Sequence, residues 1–445
     1  MDGIKTTNKR KQPAVIAGIF AVAILILAVP ARFFLYPTPT IELKVGIFSG
    51  SSWDVPTGKS YAVVEDVIAR FEAENSGVKV TYVSGIMKRD YSEWLAEQAL
   101  LGDAPDVFFV LPEDFNLLAA KGVLEKLDSR MEKDQGFDAE RYYKGALSSG
   151  QTAGEQYALP YESVPTLMFV NKTLLKKEGI SLPENDWTWE EFYEICRRVT
   201  KDRDGNGVID QFGCYDYTWQ HALYANGLTL FSEDGKSCYL GEERAEQAIR
   251  FVKDLQDLNQ NYTVTSKEFD MGQVAFRPFA FSEYRTYMPY PWRIKKYSDF
   301  EWDCIRMPAG PEGGNISELD TLMMGINARS LKKELSWELL KAFCYDEETQ
   351  KQLFSDSQGV SVLRDVTESP EVMAVLGEDT PGESKVDMTL LGQVMKDCVV
   401  IPRFPKYEEA MVLADNGITR ILNGQRSMDN GLLVLQREIN NYLRN

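Results

Sequence analysis

The sequence predicts an α/β fold, and three observations carry that prediction. From Ile41 onward, strand-like and helix-like apolar periodicities alternate along the chain. One strand segment, Val107 to Val110, is apolar throughout, as in a strand buried on both faces of a parallel sheet. Glycine and capping signals fall where the periodicity changes.

The N-terminal segment stands outside this pattern. Lys5, Lys9, Arg10 and Lys11 precede an apolar run from Pro13 to Val29. The run reads either as a secretory signal, with a poor cleavage site at Val29-Pro30-Ala31, or as an uncleaved membrane helix of about 20 residues. The basic flank puts the N-terminus in the cytoplasm and the rest of the chain outside. Pro37-Thr38-Pro39-Thr40 is a short stiff linker. Ile41, Leu43, Val45 and Ile47 then alternate as a strand, and Val64, Val67, Ile68 and Phe71 recur at helical spacing. Val78 to Val83 is a second strand, Tyr91 to Leu101 a second helix, and Val107 to Val110 a third strand. That order implies a parallel, doubly wound sheet. Leu167 to Val170 reads as a buried strand, followed by a helix that stops at Gly179. Thr188 with Glu191 forms a capping box for the next helix. Further helices run from about Glu242 to Leu258 and through Leu435, Ile439 and Leu443.

Composition narrows the function. At 445 residues the chain is long enough for two or three domains. Its formal net charge of −18 argues against a nucleic-acid partner and disfavours an anionic ligand. His221 is the one histidine, which leaves almost no material for His-based triads or zinc sites. The six cysteines include no C-x-x-C, so an even count permits disulfides without assigning partners, and buried free thiols are the simpler reading.

From Ala158 to Ile195 the chain reads ALPYESVPTLMFVNKTLLKKEGISLPENDWTWEEFYEI. Turn, strand, Asn-Lys, helix, glycine, proline and Trp-x-Glu follow in one fixed order. This stretch resembles the extracellular solute-binding proteins of bacterial ABC importers, the group that includes the maltose-binding protein. Looser similarities are Gly102-Asp103-Ala104-Pro105-Asp106, Met271 to Phe276 (with Phe276 where methionine is usual) and the Gly-rich loop Met307 to Gly314. The resemblance implies a two-lobed periplasmic-binding-protein fold of type II, each lobe a doubly wound sheet with flanking helices, after an N-terminal membrane helix. It implies chain crossings near Tyr161, Phe276 and Met324. The expected division is 1–40 as anchor and linker, 41–161 plus 277–323 as the first lobe, and 162–276 plus 324–445 as the second. Many members attach lipid to a cysteine just after the apolar run. This chain has none before Cys196, so the expectation is an uncleaved anchor on the extracytoplasmic face of the cell membrane.

The implied function is that of the substrate-binding subunit of an importer. A carbohydrate is captured between the lobes by hinge closure and delivered to permease subunits, with no catalysis and a monomeric soluble part. A sugar rests its C–H faces on aromatic rings and exchanges hydrogen bonds with charged side chains. The candidates are Trp53 and Asp54 after the first strand, Glu113 and Asp114 after the third, and Tyr161 and Glu162 at the first crossing. Tyr217 and Trp219, Tyr284 and Arg285, and Tyr407 complete the set, with core packing as the alternative role for each ring. Separately, Asp202, Asp204, Asn206, Val208, Asp210 and Gln211 begin as an EF-hand-type loop does, but Gly213 stands where a bidentate glutamate is needed. Weak structural calcium binding and a hydrogen-bonded turn are the two readings of that loop; no other cofactor is expected. Alternatives to the importer role are an extracellular glycosidase using Glu162 and Asp114, a binder of a non-sugar solute, and a binding protein feeding a sensor kinase.

Overall fold

A computed structural model describes residues 40–53, 61–287, 300–372, 374, 388–399, 401–402 and 404–445. Strand β1 (Ile41–Gly46) pairs in parallel with β2 (Val78–Tyr82) and β3 (Val107–Val110), with helices Ala62–Glu74 and Lys88–Leu101 as the connections. These are the strands and helices the periodicity predicts. Val107 to Val110 are buried on both faces. Gly102, at φ +75°, closes the second helix in the left-handed conformation that glycine tolerates best.

A small hairpin, β4 (Gln151–Thr152) and β5 (Glu155–Gln156), precedes β6 (Ala158–Asn171), the 14-residue strand that joins the two lobes. Its first half pairs with β10 (Ser317–Ile326). Its second half pairs with β8 (Val274–Ala280) and β9 (Trp302–Ile305). Strand β7 (Phe212–Cys214) runs parallel to β8, and β11 (Cys398–Val399) pairs with the start of β10. The main sheet therefore runs β2-β1-β3-β10-β6-β8-β7. The expected parallel order holds for β2-β1-β3 and for the pair β7-β8 but not across the middle of the sheet. Strand β10 is antiparallel to both β3 and β6, so the sheet is mixed. The reason is topological: β6 carries the chain out to the second lobe and β10 brings it back, so the two must run in opposite directions.

Two hydrophobic cores flank this strand pair. The first contains Leu43, Val67, Phe108, Tyr161, Trp337, Leu340 and Met395. The second contains Val170, Phe192, Tyr217, Ile249, Phe276 and, from the C-terminal helices Tyr407–Leu422 and Met428–Arg444, Ile418 and Leu435. Helix Lys333–Cys344, expected with the second lobe, thus packs in the first core, while residues beyond 403 pack in the second. The Thr188 capping box forms as expected: its side chain accepts from Glu191 N–H and Glu191 reaches back to Thr188. Helix Trp189–Val199 so begun buries Trp189, Phe192 and Cys196.

The expected membrane helix must be corrected. Its residues lie outside those described, and among the described residues no helix is long and apolar enough to cross a membrane. The long helices carry charge along their exposed faces, as Glu408, Glu409 and Arg420 do on Tyr407–Leu422. The architecture is two α/β lobes with a mixed sheet and flanking helices. The anchor, and the membrane contact and localisation inferred from it, are dropped.

Candidate solute cleft

The first crossing is built around Glu162. The side chain is 3% exposed. Oε1 accepts from Gly359 N–H at 2.7 Å and Oε2 from Trp53 Nε1–H at 3.0 Å, and the Ser357 hydroxyl adds a third bond. Burial pushes the Glu162 carboxyl up, while these donors and the nearby Arg285 pull it down. Gly359 is required sterically, because a Cβ there would lie 2.4 Å from Glu162 Oε1. The small cavity beside it, about 60 Å³ and lined by Phe48, Ser51, Phe109, Tyr161 and Gln358, has room for a few waters. It is well below the roughly 300 Å³ at which ligand pockets begin.

Several predicted site residues meet here, in structural roles. Tyr161 is buried with its ring 5.1 Å from that of Phe109. Arg285 donates from Nη1 to Phe354 O at 2.8 Å and lies 4.8 Å from the Phe354 ring. Tyr284 stacks on Phe281 at 5.5 Å. Trp53 is half-buried and is the ring of this group that keeps partial exposure. Asp54 lies outside the described residues. After β3, Pro112 opens a helix in which Glu113 is exposed and Asp114 half-buried. Asp114 Oδ2 accepts from Ser92 Oγ at 2.6 Å, and burial raises its carboxyl against that bond.

In the second lobe the three predicted aromatics belong to the core. Tyr217 accepts from Trp189 Nε1–H at 2.9 Å, Trp219 donates to Asp415 Oδ1 at 3.0 Å, and Tyr407 packs 5.8 Å from Phe231. All three are less than 10% exposed. What lies open is Asp216, just before Tyr217, exposed and at φ +66°. It follows the carboxyl end of β7, the end of a parallel strand at which open α/β sheets take their ligands. Surrounding protein raises the Asp216 carboxyl and Arg277 opposes that shift. Arg277, on β8, lies 5.4 Å from the Tyr215 ring and 3.3 Å from Glu283 Oε1. Its Nε is buried without a hydrogen bond. Asp216 and Glu283 stand next to residues the sequence reading selected, so only the choice between neighbours was missed. Arg277 carries no sequence signal of its own.

A second missed group lies where helix Trp219–Ala225 meets β10. Thr218 N–H donates to His221 Nδ1 at 3.1 Å, which leaves the proton of the neutral ring on Nε2. Nε2 lies 3.9 Å from Glu318 Oε2. Burial lowers the His221 pKa to about 4, and burial beside Asp320 raises that of Glu318 to about 7. The pair is therefore neutral between those values. Glu318 and Asp320 alternate with Ser317, Leu319 and Thr321 in an otherwise buried strand, the pattern by which they could have been found.

The calcium-like loop closes on itself. Asp202 accepts from Gly205 N–H at 2.7 Å and Gly207 N–H at 2.6 Å, Asn206 accepts from Val208 N–H at 2.7 Å, and Asp210 from Arg203 N–H at 2.9 Å. Asp204 accepts from Asn206 N–H at 3.0 Å. Gln211 is buried and turns away, donating to Glu178 Oε1 and Val199 O. Among the described residues no cluster of three or more His, Cys, Asp or Glu is arranged to hold a metal. The backbone bonds formed here are those of Asx turns.

Known proteins share this architecture. An ABC substrate-binding protein of Listeria monocytogenes, solved with cycloalternan, is 21% identical, with 91% of this chain and 99% of that one covered and a TM-score of 0.68. The cyclic α-maltosyl-1,6-maltose binding protein of Arthrobacter globiformis is 17% identical over 91% and 99% of the two chains, with a TM-score of 0.76. A Brucella abortus (strain 2308) relative whose name describes it as a binding protein is 21% identical over 392 residues, 84% of this chain and 88% of its own. The bacterial extracellular solute-binding protein profile matches residues 55–351, and the chain belongs to that family of non-catalytic binding proteins.

Proposed function

We propose that this protein captures an oligosaccharide between its lobes and presents it to the permease of an ABC importer. The observation that carries the reading is the group that follows β7: an exposed carboxylate (Asp216) and a half-buried tyrosine (Tyr215) with the Arg277 guanidinium of the neighbouring β8 beside its ring. Ring face, acceptor and donor together match a sugar's C–H surface and hydroxyls. The similarly folded Listeria protein is solved in complex with cycloalternan, and the Arthrobacter protein is a cyclic α-maltosyl-1,6-maltose binding protein. From the other lobe, Glu113 is exposed, and Trp53 and Asp114 keep partial exposure. The closing bodies are the parts of the chain on either side of β6 and β10, which serve as the hinge. Ligand shifts closure only by binding the closed form more tightly. A glycosidase role for Glu162 finds no support, since both of its oxygens are occupied by structural donors.

A thermal-shift screen of cyclic and linear α-glucooligosaccharides, amino acids and short peptides tests this. A ligand at 100 times its Kd adds about 2.7 kcal/mol to stability. A shift with a sugar class supports the reading. A shift confined to amino acids or peptides overturns the carbohydrate assignment.

A further inference from the structure

We infer that Thr166, Glu318 and Asp320 form the floor of the cleft between the lobes, and that this floor selects a neutral or amine-bearing saccharide over an acidic one. The inference rests on the saccharide reading above. Strand β6 is buried along its length except at Thr166, and β10 is buried except at Glu318 and Asp320. The register brings these openings together. Asp320 lies opposite Val164 and Leu319 opposite Pro165, so Glu318 comes beside Thr166 one step further on. Thr166 in turn lies opposite the half-buried Ala280 of β8. Residues opposed in a ladder share a face, and alternation puts Glu162 and Leu322 on the same face as Asp320. The reverse face is closed, with the buried Ser163 and Thr321 hydroxyls 2.9 Å apart.

Both lobes reach the open face. From the first, Trp53 donates to Glu162. From the second, His221 on helix Trp219–Ala225 brings Nε2 to 3.9 Å from Glu318 Oε2. Asp320, at the level of Val164, stands between these two contacts along the strands and is exposed. A sugar hydroxyl donates to such a carboxylate in a charge-assisted bond, and the Thr166 hydroxyl both donates and accepts. An ammonium group is attracted to the same site. A uronate or sulfate group meets the like charge of Asp320, with a second carboxyl, Glu318, beside it. The chain's net charge of −18 acts in the same direction on an approaching solute.

The test is calorimetric titration with a panel matched in length: neutral glucose oligosaccharides, glucosamine oligosaccharides and uronate oligosaccharides, with amino acids and short peptides as the non-sugar arm. Binding should be confined to the neutral and amine-bearing sugars. Asp320→Asn should weaken the best binder about tenfold and narrow the difference between amine-bearing and uronate sugars, a change of preference that a folding defect would not produce. A uronate as the tightest binder overturns the selectivity and leaves the saccharide reading standing. Full affinity and unchanged preference in Asp320→Asn overturn the floor, again without touching that reading. A binder found only among amino acids or peptides overturns the saccharide reading and the selectivity together, and its affinity in Asp320→Asn then decides the floor. Silence across the whole panel overturns both.

Discussion

Glu162 and Asp216 look alike in the sequence. Each is a carboxylate beside a tyrosine, at the end of or within a strand that leads to the crossing region. In the fold they are opposites. Glu162 is buried and receives donors from two separate segments, one carrying Trp53 and the other Ser357 and Gly359. Asp216 is exposed, with Arg277 as its charged neighbour. A carboxylate whose acceptor sites are filled by the protein has nothing left for a solute, whereas one held open by its backbone does. Residue type alone therefore does not identify a binding group; what matters is which donors reach it.

The largest effect should come from breaking the filled side of this comparison. Glu162→Ala strands the Trp53 indole N–H and the Gly359 amide, and each unmet buried donor costs about 1–3 kcal/mol. A loss of about 3 kcal/mol in denaturant unfolding is expected, and Gly359→Ala should approach it because its methyl displaces the carboxylate. A change below about 1 kcal/mol would mean that Glu162 is not the bolt described. On the open side, Asp216→Asn should leave stability within about 0.5 kcal/mol, as surface changes do, while weakening sugar binding about tenfold. Loss of stability with unchanged binding would exchange the roles of the two residues.

A third test uses pH. Glu318 keeps its proton up to about pH 7 when folded but releases it near 4.5 when unfolded, so its contribution to stability falls as pH rises between those values. His221 protonates near 6.5 when unfolded but only near 4 when folded, so its contribution falls as pH drops through that window. The two slopes oppose each other between about 4.5 and 6.5. Melting temperatures of the parent chain should vary little there. Glu318→Gln should show stability rising with pH, and His221→Gln should show it falling. Parallel profiles for the two variants would refute the neutral pair. The smallest effect concerns the Asp202–Asp210 loop, whose carboxylates already accept backbone N–H groups: millimolar calcium should move the melting temperature by less than about 1 °C.

Much of the fold was legible because it rests on local periodicity. The strands at Ile41, Val78 and Val107, the Gly102 and Gly179 stops and the Thr188 cap all depend on neighbours within a few residues. The antiparallel placement of β10 depends on a partner more than 150 residues away in sequence (Thr321 opposite Ser163), so no local pattern announces it. The same distance hid the packing of helix Lys333–Cys344 on the first core. The site was less legible than the fold. Tyr217, Trp219 and Tyr284 suit a sugar platform and a hydrophobic core equally well, and in the fold all three are buried, with the Tyr217 O–H bonded to Trp189 and the Trp219 N–H to Asp415. Arg277 becomes a candidate only once Tyr215 and Glu283 are seen around it.

The most direct test is a calorimetric titration of the sugar that gives the largest thermal shift, run on the parent chain, Asp216→Asn and Tyr217→Phe. The account predicts saturable binding to the parent and about tenfold weaker binding to Asp216→Asn. It predicts unchanged affinity for Tyr217→Phe, whose lost hydroxyl serves only the Trp189 N–H and so costs stability alone. Full affinity in Asp216→Asn together with lost affinity in Tyr217→Phe would contradict it, and would move the solute from the open rim to the aromatic core.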